Sequence, residues 1–230
     1  GNFPILKNPN YNLAYKELTF EEPEDVAKER KIRVFCEDRY AISFTKALIK
    51  SRKILSLVEF HQSLNPASSN PGTTYASLKA ICVNYPLLLD NALVMFDADV
   101  GVSVTGKIKN KDSFLVLPDT SSAAIERRIV HFILSRENHD PFFSKFNLER
   151  EGYLDRFAGF GIPLSPLDAV LDMNLVSINK CKNWADSDKN FTRYITYYVR
   201  TLVNTEVFQK EFLAKVNKLN VTNGLPQVAI

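Results

Sequence analysis

Four short apolar runs, each long enough for one β-strand, recur along residues 31–118. They are KIRVFCED (31–38), KILSLVEF (53–60), NALVMFDAD (91–99) and DSFLVLP (112–118). Segments with helical periodicity alternate with them, namely AISFTKALIK (41–50), TTYASLKAICVNY (73–85) and TSSAAIERRIVHFILSR (120–136). Strands that are apolar on both faces and alternate with amphipathic helices predict a parallel sheet that helices cover on both sides. We therefore expect an α/β domain over residues 31–140.

The two ends of the chain have a different character. Residues 1–30 lack a sustained period and are interpreted as an N-terminal arm that leads into the first strand. After residue 140 the strand signal fades, and apolar residues recur at spacings of three and four in residues 188–219. That stripe consists of Phe191, Ile195, Tyr198, Val199, Leu202, Phe208, Phe212 and Val216. We expect an α-helical C-terminal extension over residues 141–230.

Composition narrows the classes of protein. No apolar run approaches the roughly 18 residues that a bilayer span needs, and the N-terminal stretch lacks the basic-then-apolar order of a secretory signal. The formal charge of +3 does not by itself identify a nucleic-acid binder. Cys36, Cys82 and Cys181 lie far apart without metal-ligand spacing, which fits a reducing compartment. We expect a soluble, cytoplasmic protein with no membrane partner.

Acidic residues stand where two of the predicted strands end. Glu37 closes the first strand, and Asp97 and Asp99 close the third, just before Gly101. Ligands of parallel α/β sheets bind at the carboxyl ends of the strands. Aspartates spaced i and i+2 project in the same direction, toward a point that Glu37 would share. Carboxylate oxygens without histidine or cysteine favour Mg²⁺, Mn²⁺ or Ca²⁺ over zinc, so the sequence predicts a hard-cation site.

These motifs, in this order, resemble a TOPRIM domain, the catalytic fold of topoisomerases, DnaG-type primases and OLD-family nucleases. The motifs are a strand-end glutamate (VFCED), a later Asp-x-Asp (VMFDADVG), and a leucine-proline followed by a helix with an early glutamate (LVLPDTSSAAIERRI). The likeness covers residues 31 to about 138 and is strongest to OLD-type, phage-defence nucleases. It implies a Rossmann-like parallel sheet, a DNA-cleaving activity and Mg²⁺ or Mn²⁺ as cofactor.

The resemblance also assigns residues and partners. Glu37 would be a metal ligand or general base, Asp97 and Asp99 the metal-binding pair, and Glu126 the acid that OLD-like members add. In such proteins the domain usually follows an ABC-type ATPase. The chain has no Gly-x-x-x-x-Gly-Lys-Ser/Thr phosphate loop, so an ATPase partner would be another domain or subunit. We also expect an oligomer.

One departure concerns the first loop. The family often has Glu-Gly-x-x-Asp there, whereas this chain has Ala41 in place of the second acid. Asp38 is the residue that could replace it as a ligand.

Hydrolysis at a two-metal site needs carboxylates for two cations and basic groups for the phosphate. Glu37, Asp97, Asp99 and Glu126, with Asp38 in reserve, are enough ligands for one or two ions. The basic residues expected to contact nucleic acid follow the same segments. They are Arg39, Lys107, Lys109, Lys111 and Arg127, and the three lysines would share one side of an extended chain that tracks a phosphate backbone.

Three alternatives stay open. The stretch FDADV also suits a haloacid-dehalogenase-type phosphohydrolase, although no acidic pair at a later strand end is evident. It equally suits a manganese-dependent nucleotide-sugar glycosyltransferase, although the helical C-terminal third leaves little room for an acceptor region. The third alternative is a catalytically inactive TOPRIM-like interaction module, which the missing acid at Ala41 favours.

Overall fold

A four-stranded parallel sheet organises the molecule. The structure is a computed structural model that describes residues 31–64, 72–119, 121–202, 205–225 and 227–228. The strands are β1 (Ile32–Cys36), β2 (Val58–His61), β3 (Ala92–Phe96) and β4 (Phe114–Val116), in the order β2-β1-β3-β4. The predicted α/β class, with a parallel sheet flanked by helices, is confirmed. Residues 1–30, interpreted as an arm, lie outside the described residues.

One predicted strand is shorter than its apolar run. The run KILSLVEF begins with a short helix, α2 (Arg52–Leu55), and only Val58–His61 joins the sheet. The hydroxyl of Ser51 accepts a hydrogen bond from the amide of Ile54, at 3.4 Å, and so caps this helix. The local cap decides the structure of residues that are apolar enough for either element.

The helices that accompany the sheet follow the predicted segments. They are α1 (Arg39–Ile49), α3 (Tyr75–Asn84) and α5 (Ile125–Leu134), and a short helix that was not predicted, α4 (Val102–Thr105), lies between β3 and β4. Ile125, Ile129, Phe132 and Ile133 of α5, which recur at helical spacing, are buried. The helices after residue 140 are α6 (Pro141–Phe146), α7 (Arg150–Gly159), α8 (Ile178–Ser187), α9 (Phe191–Thr201) and α10 (Thr205–Thr222). Short 3₁₀ turns cover Pro86–Leu89, Lys111–Ser113 and Leu167–Val170.

Each face of the sheet carries its own apolar core, because successive strand residues point to opposite sides. On β3, Leu93 and Met95 enter the larger core, whereas Val94 and Phe96 enter the smaller one. The smaller core is closed by α3 through Leu78 and Cys82. The larger core contains α1, α5 and the helices that follow residue 140.

The C-terminal helices are packed into the larger core. Helix α9 packs against α1, and α10 packs against both α1 and β1. Trp184 of α8 lies with its ring 4.8 Å from that of Phe157 and 5.4 Å from that of Phe191. The boundary predicted near residue 140 falls in the loop between α5 and α6, and one continuous core lies on both sides of it.

Two further features bear on the class of protein. Cys36, Cys82 and Cys181 are buried free thiols. Within the described ranges, no helix has the length and apolar character that crossing a bilayer demands.

Candidate functional site

The order of the strands places a crevice between β1 and β3. The chain leaves β1 toward β2 on one side and later returns to place β3 on the other side of β1. In doubly wound sheets this reversal of strand order is the point where ligands bind, at the carboxyl ends of the strands. Glu37 follows β1 directly and Asp97 follows β3 directly. Both acids therefore flank the crevice.

A cavity of about 780 Å³ opens at this edge. All five acids predicted for the site line it, namely Glu37, Asp38, Asp97, Asp99 and Glu126. The rest of its wall comes from three places that are distant in sequence: Tyr75 at the start of α3, residues 121–124 with Arg127 of α5, and the segment that leads into α8 together with the start of that helix. The last group consists of Leu171, Asp172, Met173, Asn174 and Ser177 before α8, and Ile178 and Lys182 within it.

Glu37 and Asp38 are held by the turn from β1 into α1. The carboxylate of Asp38 caps α1, because its Oδ1 accepts from the amides of Tyr40 at 2.8 Å and Ala41 at 2.9 Å. The carbonyl of Glu37 accepts from the amide of Thr73 at 2.8 Å, which brings the start of α3 to the cavity. The Oε1 atom of Glu37 is buried and has no hydrogen-bond partner.

Asp97 is held by a buried arginine. Its Oδ1 accepts from the amide of Ala98 at 2.9 Å and from Nη2 of Arg128 at 3.0 Å. Nη1 of Arg128 donates to the carbonyl of Pro118 at 3.2 Å, and its Nε lies 3.5 Å from Oδ2 of Asp119. Asp119 comes after Leu117 and Pro118, which follow β4, so one guanidinium joins the chain just beyond two neighbouring strands.

Glu126 lies in the first turn of α5 and is only 3% exposed. The N-cap residue of this helix, Ala124, has no side chain that could accept from the first-turn amides. Free first-turn amides and the helix dipole attract anions. The amino end of α5, with Ser121 and Ser122 before it, therefore gives the cavity a wall suited to a phosphate group.

The carboxylates of the cavity are difficult to ionise. Burial, followed by repulsion from Asp97 and Asp99, raises the pKa of Glu37 to about 8. Burial, followed by repulsion from Asp38, raises the pKa of Glu126 to about 7. Burial also raises the pKa of Asp97 to about 6, although Arg128 opposes that shift. A bound cation would lower all three values, since it favours the ionised form of each acid.

The carboxylate oxygens of the cavity are donors of the kind that hard cations take. Within the described part of the chain, no three acidic, histidine or cysteine side chains are arranged so that they could hold one metal ion between them. Mg²⁺ is commonly bound through one or two carboxylates plus water and substrate phosphate, whereas Ca²⁺ takes six to eight oxygen ligands. A cation here would therefore take one or two carboxylates and complete its shell with water or substrate oxygens, and the buried, unpartnered Oε1 of Glu37 is the candidate ligand.

The predicted basic residues lie elsewhere or are already engaged. Arg39 pairs with Asp186 at 2.7 Å and does not line the cavity. Arg127 lines it, but its guanidinium donates to the carbonyls of Val170, Asp172 and Val176 at 2.7, 3.3 and 2.5 Å. These hydrogen bonds hold the segment before α8 in place.

The segment GKIKNKD does not form the extended chain predicted for it. Residues 106 and 107 form a turn after α4, and Ile108 is buried in the smaller core. Lys111 folds back, and its ammonium donates to the carbonyl of Thr105 at 3.1 Å. Lys107 and Lys109 are exposed, and none of the three lysines lines the cavity.

Sequence reasoning missed three functional candidates: Lys182, Asp119 and the pairing role of Arg128. Lys182 is the exposed cation of the cavity wall and lowers the pKa of Glu37, Asp99 and Glu126. No spacing links it to the acids. Asp119 carried a signal, since it stands shortly after an apolar strand, beyond Leu117 and Pro118.

Comparison of the chain with protein-family models, with curated proteins and with solved structures finds no match in any of the three.

Proposed function

We propose that the chain is a nuclease that hydrolyses phosphodiester bonds of nucleic acid, DNA in the first instance, with Mg²⁺ or Mn²⁺ as cofactor. The observation that carries the proposal is the gathering of five acids from three segments in one cavity at the point where strand order reverses. The resemblance of the same residues to TOPRIM domains of the OLD type supports it. That resemblance adds an ABC-type ATPase on another domain or subunit as partner, and the three buried free cysteines suit the cytoplasm.

In this proposal, different residues of the cavity bind the cation, bind the phosphate and accept the proton of the attacking water. Glu37, Asp97 and Asp99 would hold the cation, which supplies charge that activates water and stabilises the leaving oxygen. The first-turn amides of α5 and the ammonium of Lys182 would bind and orient the phosphate. Glu126, whose pKa burial raises to about 7 in the absence of a cation, would accept the proton of the attacking water as general base.

The test is nicking of supercoiled plasmid by the purified chain in Mg²⁺ or Mn²⁺. We expect nicking that chelation stops, and a loss of about 100-fold or more in Glu126→Gln, the range found when a general base is removed. Asp99→Asn should show a comparable loss. Glu206→Gln is the matched control, because Glu206 is an exposed acid in the first turn of α10.

A second candidate is a non-catalytic interaction module. Ala41, which stands where the family often has an acid, is buried in α1, so that position cannot present a ligand. Unaltered plasmid in both ions, with the fold intact, would favour this candidate over the nuclease. Release of phosphate from a small phosphoester, or hydrolysis of a nucleotide-sugar, would instead favour the phosphohydrolase or glycosyltransferase alternatives.

A further inference from the structure

Three acids of the proposed site are withdrawn from the surface. Glu126 is 3% exposed, the side chain of Asp97 is 14% exposed, and Oε1 of Glu37 is buried. A phosphodiester bond must therefore enter the cavity to reach them. A strand that is paired in a duplex is held against its complement, whereas an unpaired strand can be drawn into a cavity with its bases splayed out.

Few basic groups surround this cavity. Among the described residues that line it, the basic ones are Lys182 and Arg127, and the guanidinium of Arg127 already donates to three backbone carbonyls. Binding of a duplex depends on several phosphate contacts from lysine and arginine. The described wall does not provide them, so contacts other than those to phosphate must contribute to affinity.

The wall instead exposes two large apolar side chains. Tyr75, the first residue of α3, is 48% exposed, and Met173, in the segment before α8, is 76% exposed. Helix α3 closes the smaller core, whereas the segment of Met173 is held by Arg127 of α5, a helix of the larger core. The two side chains therefore reach the cavity from opposite faces of the sheet.

Tyr75 is held beside the acids by the backbone that precedes it. The amide of Thr73 donates to the carbonyl of Glu37 at 2.8 Å, and Oγ1 of Thr74 caps α3 by accepting from the amide of Ser77 at 3.2 Å. Neither of the two apolar cores includes Tyr75, so packing leaves its ring available. Exposed aromatic rings along a nucleic-acid path are platforms on which unpaired bases stack.

We propose that the cavity takes single-stranded nucleic acid, DNA or RNA, with an unpaired base stacked on the ring of Tyr75. This inference rests on the proposed function and names its substrate class. Stacking tolerates all bases, because each has a π-face, so little sequence preference is expected from this contact. Supercoiled plasmid fits the same requirement, since negative supercoiling favours local opening of the duplex.

The experiment measures binding by fluorescence anisotropy in Mg²⁺, in a Glu126→Gln background that slows cleavage. The labelled probes are a thymidine oligonucleotide, a uridine oligonucleotide, a duplex of the same length and a chain of abasic deoxyribose phosphates. We expect one or both single strands to bind about tenfold or more tighter than the duplex, and Tyr75→Ala to weaken that binding about tenfold, as the loss of one stacked base does. Tyr75→Phe keeps the ring and should bind as its parent does. Tyr85→Ala is the matched control, because Tyr85 is 59% exposed at the other end of α3 and does not line the cavity.

The abasic chain separates stacking from a general disturbance of the site. It keeps the phosphates and lacks the bases, so Tyr75→Ala should not change its affinity; an equal loss on the abasic chain and on the single strands would overturn the inference. Equal affinity for duplex and single strands, or unchanged binding in Tyr75→Ala, would also overturn it. Failure of every probe to bind would do the same, and the plasmid assay would then decide on the nuclease proposal by itself.

Discussion

The ionised form of Glu37 is strongly disfavoured by its surroundings in the site. One of its oxygens is buried without a partner, and three other acids raise its pKa through repulsion. A structural acid would be expected to have an ion pair or a hydrogen-bond donor at this depth. Because the described residues supply neither, ionisation of Glu37 in the metal-free chain opposes folding.

The free energy of unfolding should therefore fall as pH rises through the pKa of Glu37. The folded-state pKa of about 8 lies above the ordinary value of 4.5, so the stabilising contribution is complete below pH 4.5 and is lost as pH rises toward 8. Glu37→Gln should unfold about 4–8 °C higher than the wild-type chain at pH 8.5 without metal, equivalent to about 2 kcal/mol after allowance for solvent screening. At pH 4.5 the two should unfold at nearly the same temperature.

Thermal melts followed by circular dichroism in a chelating buffer measure this difference. Glu206→Gln makes the same chemical change at an exposed position on α10 and should follow the wild-type curve at both values of pH. A Glu37→Gln variant that is less stable than the wild-type chain at pH 8.5 would show that the carboxylate has a partner and would contradict the argument.

At the scale of elements, the sequence predicted what depends on apolar pattern and missed what depends on distant contacts. The carboxyl ends of β1 and β3 were placed correctly because their strands are apolar throughout and their acids follow at once. Lys182 could not be predicted, because α8 meets the cavity only through the packing of the C-terminal helices. The three lysines of GKIKNKD were misinterpreted because burial of Ile108 overrides the alternating pattern.

Arg127 shows how one element is fixed by another. Its guanidinium, on α5, donates to the carbonyl of Val170, the last residue of the 3₁₀ turn Leu167–Val170. It also donates to the carbonyls of Asp172 and Val176 in the segment that leads to α8. That segment supplies Asp172, Met173 and Asn174 to the cavity wall. Arg127 therefore holds the segment that lines the cavity in place, and most of its donors are not available to a ligand.

Arg127→Met should loosen this segment while leaving the sheet in place. Each hydrogen bond from a charged group contributes about 1.5–3 kcal/mol, so amide hydrogen exchange in residues 171–177 should become about tenfold faster or more. Exchange in β3 should not change. Arg200→Met, an exposed arginine on α9, is the control. Unchanged exchange in residues 171–177 would mean that packing alone holds the segment.

For the whole molecule, the larger core decides how the sheet and the C-terminal helices behave together. Strand residues such as Val34 and Met95 belong to the same buried cluster as Phe212 and Val216 of α10. Gln209 adds a hydrogen bond from α10 to the carbonyl of Leu48, at 2.6 Å. Because one buried cluster spans both regions, we expect the sheet and the C-terminal helices to stabilise each other, although the sequence suggested a boundary near residue 140.

The sheet and the helices should therefore unfold in one transition. Trp184, the single tryptophan, is buried among the C-terminal helices, so its fluorescence reports that region, and hydrogen exchange of β3 reports the sheet. Phe212→Ala should lower the free energy of unfolding measured by both probes together, by about 3–5 kcal/mol, because it leaves a cavity in the shared core. Val207→Ala, at a position that is 69% exposed on the same helix, should lower neither. If Phe212→Ala shifted the fluorescence transition alone, the helices would form a separate folding unit, and the site that they help to build would depend on two independent equilibria.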